Sequence, residues 1–323
     1  MFKISRYSEQ SQSQWDAFVE GSRNATFLFK RSYMDYHSDR FQDHSLMVWK
    51  NDNLCGLLPA NLTDDDGNRV LHSHGGITYG GLILPSRHID GSDVMEIFGS
   101  IRQYCIANNI NGLDYKALPY IYATMPSQED IYAIQNMGGR FTECNLSCCI
   151  DMQHNPGYNT QQKRNLKKGI SHGLTLHKGV KVEEFHDLLS RCLAERYEAR
   201  PVHTAAELDL LISRFPENII IYGVRNDGQL VAAVCLYLSA QVVHTQYICS
   251  SPQGRSEGAL ALLFHELIKE YSGAYRYFDF GTSNEDHGRY LNPGLYRQKS
   301  ALGGSGVVYP RYYLEFVTSQ HQE

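Results

Sequence analysis

The sequence predicts an α/β (α+β) architecture in two successive passes, each a mixed, mostly antiparallel sheet flanked by helices. Three observations lead there. The order strand, helix, helix, three strands, helix, strand, helix, strand reads once before residue 158 and again from residue 174. A polar, basic segment, NTQQKRNLKKGISHG at 159–173, separates the two readings and is expected to form a linker helix. The length of 323 residues also suits two domains better than one. The expected division is residues 1–158, the linker 159–173, and residues 174–323.

The first pass opens with a strand at Phe2–Tyr7 and a helix around Trp15–Val19. A second, cationic helix is expected from about Lys30 to Phe41. Strands follow at Ser45–Lys50 and Leu54–Leu62, parted by the turn residues Asn51-Asp52-Asn53. Another tight turn falls at Asp64–Asn68, before the Gly-broken run VLHSHGGITYGGLIL. Val94, Ile97, Phe98, Ile101 and Ile106 recur at helical spacing. The pass closes with a strand at Gly112–Leu118, a helix at Gln128–Met137 and a strand at Phe141–Asp151.

The second pass has a strand at Leu174–His177 and helices at Val182–Tyr197 and Thr204–Phe215. Strands at Asn218–Val224, Gln229–Leu238 and Val242–Ser250 are joined by Asn226-Asp227-Gly228 and Ser239-Ala240. A helix at Ala259–Tyr271 leads to a strand at Tyr275–Phe280. Pro293 suits the first turn of a helix reaching Ala301. A last strand covers Val307–Phe316.

With 42% hydrophobic and 20% charged residues, the composition is that of a soluble globular protein. A net charge of −5 argues against a general nucleic-acid binder, which is usually basic, though not against a local basic groove. The 8 cysteines show no metal or disulfide spacing and read as buried free thiols. The start, MFKISRYSEQ, has no apolar core of signal-peptide length, and no run approaches the ~18 apolar residues of a membrane span. A reducing cytoplasm is the expected location. No Gly-x-Ser-x-Gly elbow, Walker or full dinucleotide-binding pattern occurs.

The densest chemistry lies in YRYFDFGTSNEDHGRYLNPGLYRQKSALGG, residues 275–304, which reads as strand, polar loop, helix and Gly break. Such junctions place functional groups on a rigid scaffold. Asp279, between Phe278 and Phe280, must be paired or hydrogen-bonded, or its pKa rises. It either orients a cleft or accepts a proton, or it caps the loop through the amides of Gly281, Thr282 or Ser283. Tyr296 and Lys299 fall three apart on the expected helix and share a face, catalytic or merely solvated. Alternation in His244-Thr245-Gln246-Tyr247 sets His244 and Gln246 on one face, either lining a cleft or as ordinary strand residues. His72 and His74 could ligate a metal, but no third ligand is suggested, and none is expected.

The stretches FPENIIIYGV, GQLVAAVCLYL, VVHTQYICSSPQGRSEGALALLFHELI, YFDFGTSNEDHG and LNPGLYRQK resemble the GNAT acyltransferase fold. Two copies joined by a basic segment resemble the tandem GNAT-like domains of Fem-type aminoacyltransferases and related acetyltransferase-like proteins. The resemblance covers essentially the whole chain and is strongest from Pro201 to Tyr309. It departs at YRQKSALGG, where Ser300-Ala301-Leu302 stand between Lys299 and Gly303 in place of an immediate Gly-Phe-Gly. No heptad-rich insertion of the kind often found in tRNA-dependent Fem enzymes is present.

The resemblance implies an acyltransferase that takes an acyl group, most simply acetyl, from acyl-CoA. The acceptor would be an amine or hydroxyl of a cell-envelope sugar or nucleotide-linked precursor, and attack would be direct. The second half would be the donor and catalytic side. In the loop SSPQGRSEGA, Arg255, Ser256, Gly258 and Ala259 would hold the cofactor's phosphates at a helix N-terminus. Lys299 would stabilise the oxyanion, Tyr296 would protonate the leaving group, and Asp279 completes the catalytic set. Lys30, Arg31 and His37 on the acceptor side, with His244, Gln246, Asn284 and Asn292, would contact substrate. Lys163, Arg164, Lys167 and Lys168 would assist with an anionic acceptor, or form a solvated face. The alternatives are a Fem-like transferase that uses charged tRNA and a catalytically silent binding protein on the same fold.

Overall fold

A computed structural model describes residues 1–197 and 199–316, which fold into two compact units. The first holds residues 1–145, 286–289 and those described from 308 onward; the second holds 146–285 and 290–307. A linear cut after residue 158 differs from this, because the last strand returns to the first unit.

The first unit begins with β1 (Lys3–Arg6), α1 (Gln12–Gly21) and the single turn α2 (Arg31–Met34). It continues with β2 (Leu46–Lys50), β3 (Asn53–Leu58), β4 (Asn61–Asp65) and β5 (Asn68–His72), then α3 (Gly91–Ala107), β6 (Gly112–Lys116) and α4 (Glu129–Asn136). β7 (Arg140–Asp151) leads out of it. Strands β1, β2 and β3 form an antiparallel sheet. In a second sheet β4 pairs with β5 antiparallel and β5 with β6 in parallel. The hairpin turns follow the residues: Asn51-Asp52 and Asp66-Gly67 all take positive φ, as two-residue turns with right-handed twist require. Asp90 starts α3 with a capping box, its side chain accepting from Ser92 and Asp93 amides. Val94, Ile97, Phe98, Ile101 and Cys105 of α3 are buried in a core with Leu71, Leu113 and Tyr115.

Two expectations for this unit are corrected. The single strand expected at 54–62 is two strands in two sheets, because Pro59 falls between them and offers no ladder N–H. The expected helix 30–41 is α2 followed by a 3-10 turn at Asp35–His37. Arg31, Tyr33, Met34 and His37 all turn inward there, so burial rather than helical propensity sets the path.

The second unit holds α5 (Thr160–Ser171), β8 (Thr175–Lys178), α6 (Val182–Tyr197), α7 (Ala205–Arg214), β9 (Ile219–Asn226), β10 (Gln229–Leu238) and β11 (Val242–Ser250). Then come α8 (Pro252–Glu257), α9 (Ala259–Tyr271), β12 (Tyr277–Thr282), the small pair β13 (Asn284–Glu285) and β14 (Tyr290–Leu291), and α10 (Pro293–Ser300). The last strand, β15 (Ser305–Glu315), ends in the first unit, where it pairs antiparallel with β6. The sheet order from the end of β7 is β7, β12, β11, β10, β9, β8. All neighbours are antiparallel except β11 and β12, the pair joined through α8 and α9. A parallel pair needs such a crossover. α9 buries Leu262, Leu263, Phe264, Leu267 and Ile268 against Val231, Val243 and Phe278.

Candidate active site

β11 and β12 pair in parallel for only three residues, ending at His244↔Asp279. β11 continues to Ser250 and the strands part. The gap becomes a cleft of about 130 Å³ between Ile248, Cys249 and Ser250 of β11, Phe280 of β12, Cys192 of α6, and Leu295, Gln298 and Lys299 of α10. A wider cleft of about 320 Å³ adjoins it at Cys192 and is lined by Arg191, Gln229, Ser251 and Gln253. Drug-sized ligands occupy roughly 300–1,000 Å³. The inner space therefore suits an acyl group and the end of its carrier, with the rest outside.

Lys299 sits in the last turn of α10, which Asn292 caps by accepting the Leu295 amide and Pro293 starts. The lysine is buried, and its ammonium donates to Gly281 O at 2.9 Å and Thr282 O at 2.7 Å. Two of its three N–H bonds are thus spent on the end of β12, and the third remains to face a ligand. Burial lowers the Lys299 pKa to about 8, with Asp279 and then the Cys148 thiol pulling the other way.

Asp279 is fully buried. It accepts from Ser147 Oγ, from His244 Nδ1 at 2.8 Å and from the Gly281 amide at 3.2 Å. It thus orients His244 and also caps the turn after β12. The strict alternation expected across His244 and Gln246 is interrupted. A bulge in β11 sets Thr245 opposite Leu236 and Tyr247 opposite Cys235, leaving Gln246 as the extra residue. His244 and Tyr247 therefore share a face, and the Tyr247 hydroxyl lies 2.5 Å from His203 Nδ1.

The other expected residues divide. Arg255 lines the cleft and donates to Ser250 O at 2.6 Å. Ser256 is exposed, its hydroxyl donating to Gln253 O. The phosphate loop expected at 250–259 is largely the short helix α8, and its amides serve itself: Gly254 N–H donates to Ser251 Oγ and Gly258 N–H to Gly254 O. Gly258 has a φ of 81°, and a Cβ there would stand 2.2 Å from Asn165 O of α5. Ala259 is buried in the core. Tyr296 is half-buried, one turn before Lys299, but is not among the residues lining the cleft. Asn284 Oδ1 holds the Leu146 amide, and Asn292 also donates to Glu285, so both serve local structure.

Lys30, Arg31 and His37 belong to the first unit. Lys30 pairs with Glu20 at 2.7 Å. Arg31, expected to grip an anion, is instead buried between Asp35 and Asp43 and lies over the Tyr7 ring at 4.0 Å. His37 is bonded to Gly76 O and stacked on His74. The exposed α5 side chains Lys163, Arg164, Lys167 and Lys168 make no ion pair among the described residues.

Sequence reading missed Ser147, Cys192 and Cys249, whose roles depend on contacts distant in sequence. It also missed a parallel between the units. In the first, His72 and Asp114 are in register on the parallel pair β5–β6, and His72 Nδ1 lies 2.7 Å from Asp114 Oδ2. The signal was present twice: an Asp between apolar residues on a strand, following a strand histidine, in LDY and again in FDF. Among the described residues no group of three metal-ligating side chains converges.

Residues 160–289 match the acetyltransferase (GNAT) domain family. No curated protein matches the sequence. The chain resembles a structure of FemX at 9% identity, covering 98% of both chains with a TM-score of 0.72. It also resembles the C-terminal domain of a putative lysylphosphatidylglycerol synthetase from Agrobacterium fabrum, at 13% identity over 96% of this chain and 92% of that one, TM-score 0.61. A tandem GNAT protein from the clavulanic acid biosynthesis pathway matches at 14% identity over 99% and 100% of the two chains, TM-score 0.53. At such identities the likeness is one of fold.

Proposed function

We propose that this chain, whose residues 160–289 match the acetyltransferase (GNAT) domain family, is an acyltransferase that moves an acyl group, most simply acetyl, from acyl-CoA to an amine or hydroxyl of a cell-envelope sugar or nucleotide-linked precursor. The observation that carries this reading is the cleft between the parting strands with Lys299 on its wall. The acyl carbonyl enters the inner space, and the carrier runs out past Arg255 and Cys192. The acceptor attacks the thioester carbon directly. Charge that develops on the carbonyl oxygen is met by the Lys299 ammonium, already fixed by two carbonyls and so needing little reorganisation. Asp279 holds His244 at the point where β11 and β12 part.

A second reading has specific support. FemX matches the chain end to end, so the missing insertion does not separate a CoA donor from a charged tRNA. The cations of α5, which make no ion pair among the described residues, suit a polyanion, and the internal bonding of the α8 amides weakens the case for a pyrophosphate there. The test is acceptor-dependent release of CoA from acetyl-CoA across a panel of amino sugars and nucleotide-sugars, beside transfer from charged tRNA. Acceptor-dependent CoA release supports the first reading. Transfer only from tRNA, with salt sensitivity, supports the second. Neither, across the panel, favours a binding protein on this fold.

A further inference from the structure

The first unit contains a hydroxyl–imidazole–carboxylate line that the acyl-transfer cleft does not use. Thr63 Oγ1 lies 2.8 Å from His72 Nε2, and His72 Nδ1 lies 2.7 Å from Asp114 Oδ2. With Nδ1–H donating to the carboxylate, Nε2 is left as the acceptor of the threonine proton. This is the relation of nucleophile, base and orienting acid that defines a triad by geometry, wherever its members fall in sequence. Asp114 is held in turn by Arg311, whose Nε donates to Oδ1 at 2.6 Å and Nη2 to Oδ2 at 2.5 Å. Burial pushes the Asp114 carboxyl up, but Arg311 and His72 outweigh it and hold the pKa at about 2. The orienting carboxylate is therefore ionised throughout the physiological range.

The line is also reachable. β4 is an edge strand and Thr63 is exposed, while the side chains of His72 and Asp114 are 24% and 12% exposed. His72 and Asp114, though not Thr63, line an open cleft of about 680 Å³ on one face of the unit's sheet, and Thr63 reaches it through its bond to His72. Val70 and His72 alternate onto that face from β5, and Arg311 and Tyr313 from β15. The cleft is large enough for the body of a small substrate.

We propose that Thr63, His72 and Asp114 form a second catalytic site, which cleaves small carboxylic esters through an acyl-threonine. Thr63 Oγ bonds to the ester carbon as its proton passes to His72 Nε2. The carbon–oxygen bond to the leaving alcohol then breaks, and the alcohol takes that proton. Water, deprotonated by His72 Nε2, then bonds to the acyl carbon; the bond from that carbon to Thr63 Oγ breaks, Oγ takes the proton back from His72, and the acid leaves. Thr63 and His72 are catalytic residues; Asp114 is a positioning residue.

The experiment is hydrolysis of 4-nitrophenyl acetate by the full chain, with mass-spectrometric mapping of the acetylated residue. The expected result is an acetyl group on Thr63 and a fall in kcat/KM of about 10³-fold in Thr63→Ala. Thr63→Ser should retain hydrolysis within about tenfold, since it keeps the attacking hydroxyl. Thr63 is exposed on an edge strand, so Thr63→Ala should fold, which circular dichroism checks, and should leave acyl transfer in the second unit unchanged. Wild-type rates in Thr63→Ala, or acetyl groups only on lysines or on His72, would overturn the proposal.

Discussion

Lys299 is the residue on which the proposed chemistry turns. Lys299→Met removes the ammonium that meets the oxyanion, and the expected loss is about 10²–10³ in kcat, measured by CoA release in a variant shown to be folded. Its pH dependence has a definite sign. With a pKa lowered to about 8, the ammonium is full below that pH and is lost above it. Transfer should therefore fall on the alkaline side of about pH 8, and this limb should vanish in Lys299→Met. In the first unit, Arg311 makes a second prediction. The Asp114 pKa is depressed to about 2, so its contribution to stability is present above the ordinary carboxylate range, near ~3.9, and is lost as pH falls through about 2. Arg311→Met should cost about 1–3 kcal/mol at pH 7 by leaving Asp114 without its cation, and much less at pH 2, as read from denaturant midpoints.

At the scale of elements, the strand-to-helix junction after β11 depends on close approach. A Cβ on Gly258 would meet Asn165 O at 2.2 Å and one on Gly254 would meet Val231 O at 2.2 Å, both backbone atoms that yield poorly. Gly258→Ala should cost about 1–3 kcal/mol, since overpacking adds to the strain of a φ of 81°, and thermal denaturation checks it. Much of this level was legible in the sequence. Asn226-Asp227-Gly228 announced the β9–β10 hairpin and Pro293 the start of α10, and the helix expected from Thr204 is α7, capped by that threonine. What was not legible arose from contacts distant in the chain. The bulge at Gln246 is invisible to strict alternation, because it depends on which β10 residue each β11 residue meets. Arg31 looked like a free cation until the fold brought Asp43 beside it.

At the scale of the molecule, the duplicated order of elements gave the architecture, and the structure adds a register-matched His–Asp pair in each unit. The pairs differ in surroundings. Asp279 is sealed beside Ser147 and the Lys299 cleft, whereas Asp114 faces an open polar cleft with Arg311. Lys299 and Arg255, singled out in the sequence, line the cleft, but Cys192 of α6, which lines it with them, was not singled out, because a buried cysteine on a helix carries no signal of what it lines. Among the described residues no helix is long and apolar enough to cross a membrane. The most direct test of the account is a thermal-shift titration of the full chain with acetyl-CoA and CoA, with ATP and pantetheine as controls. A ligand of the native state at ~100 times its Kd adds about 2.7 kcal/mol, so the account predicts a saturable rise in Tm for the CoA compounds that ATP does not reproduce. No shift at millimolar acetyl-CoA would contradict an acyl-CoA donor in the second unit's cleft.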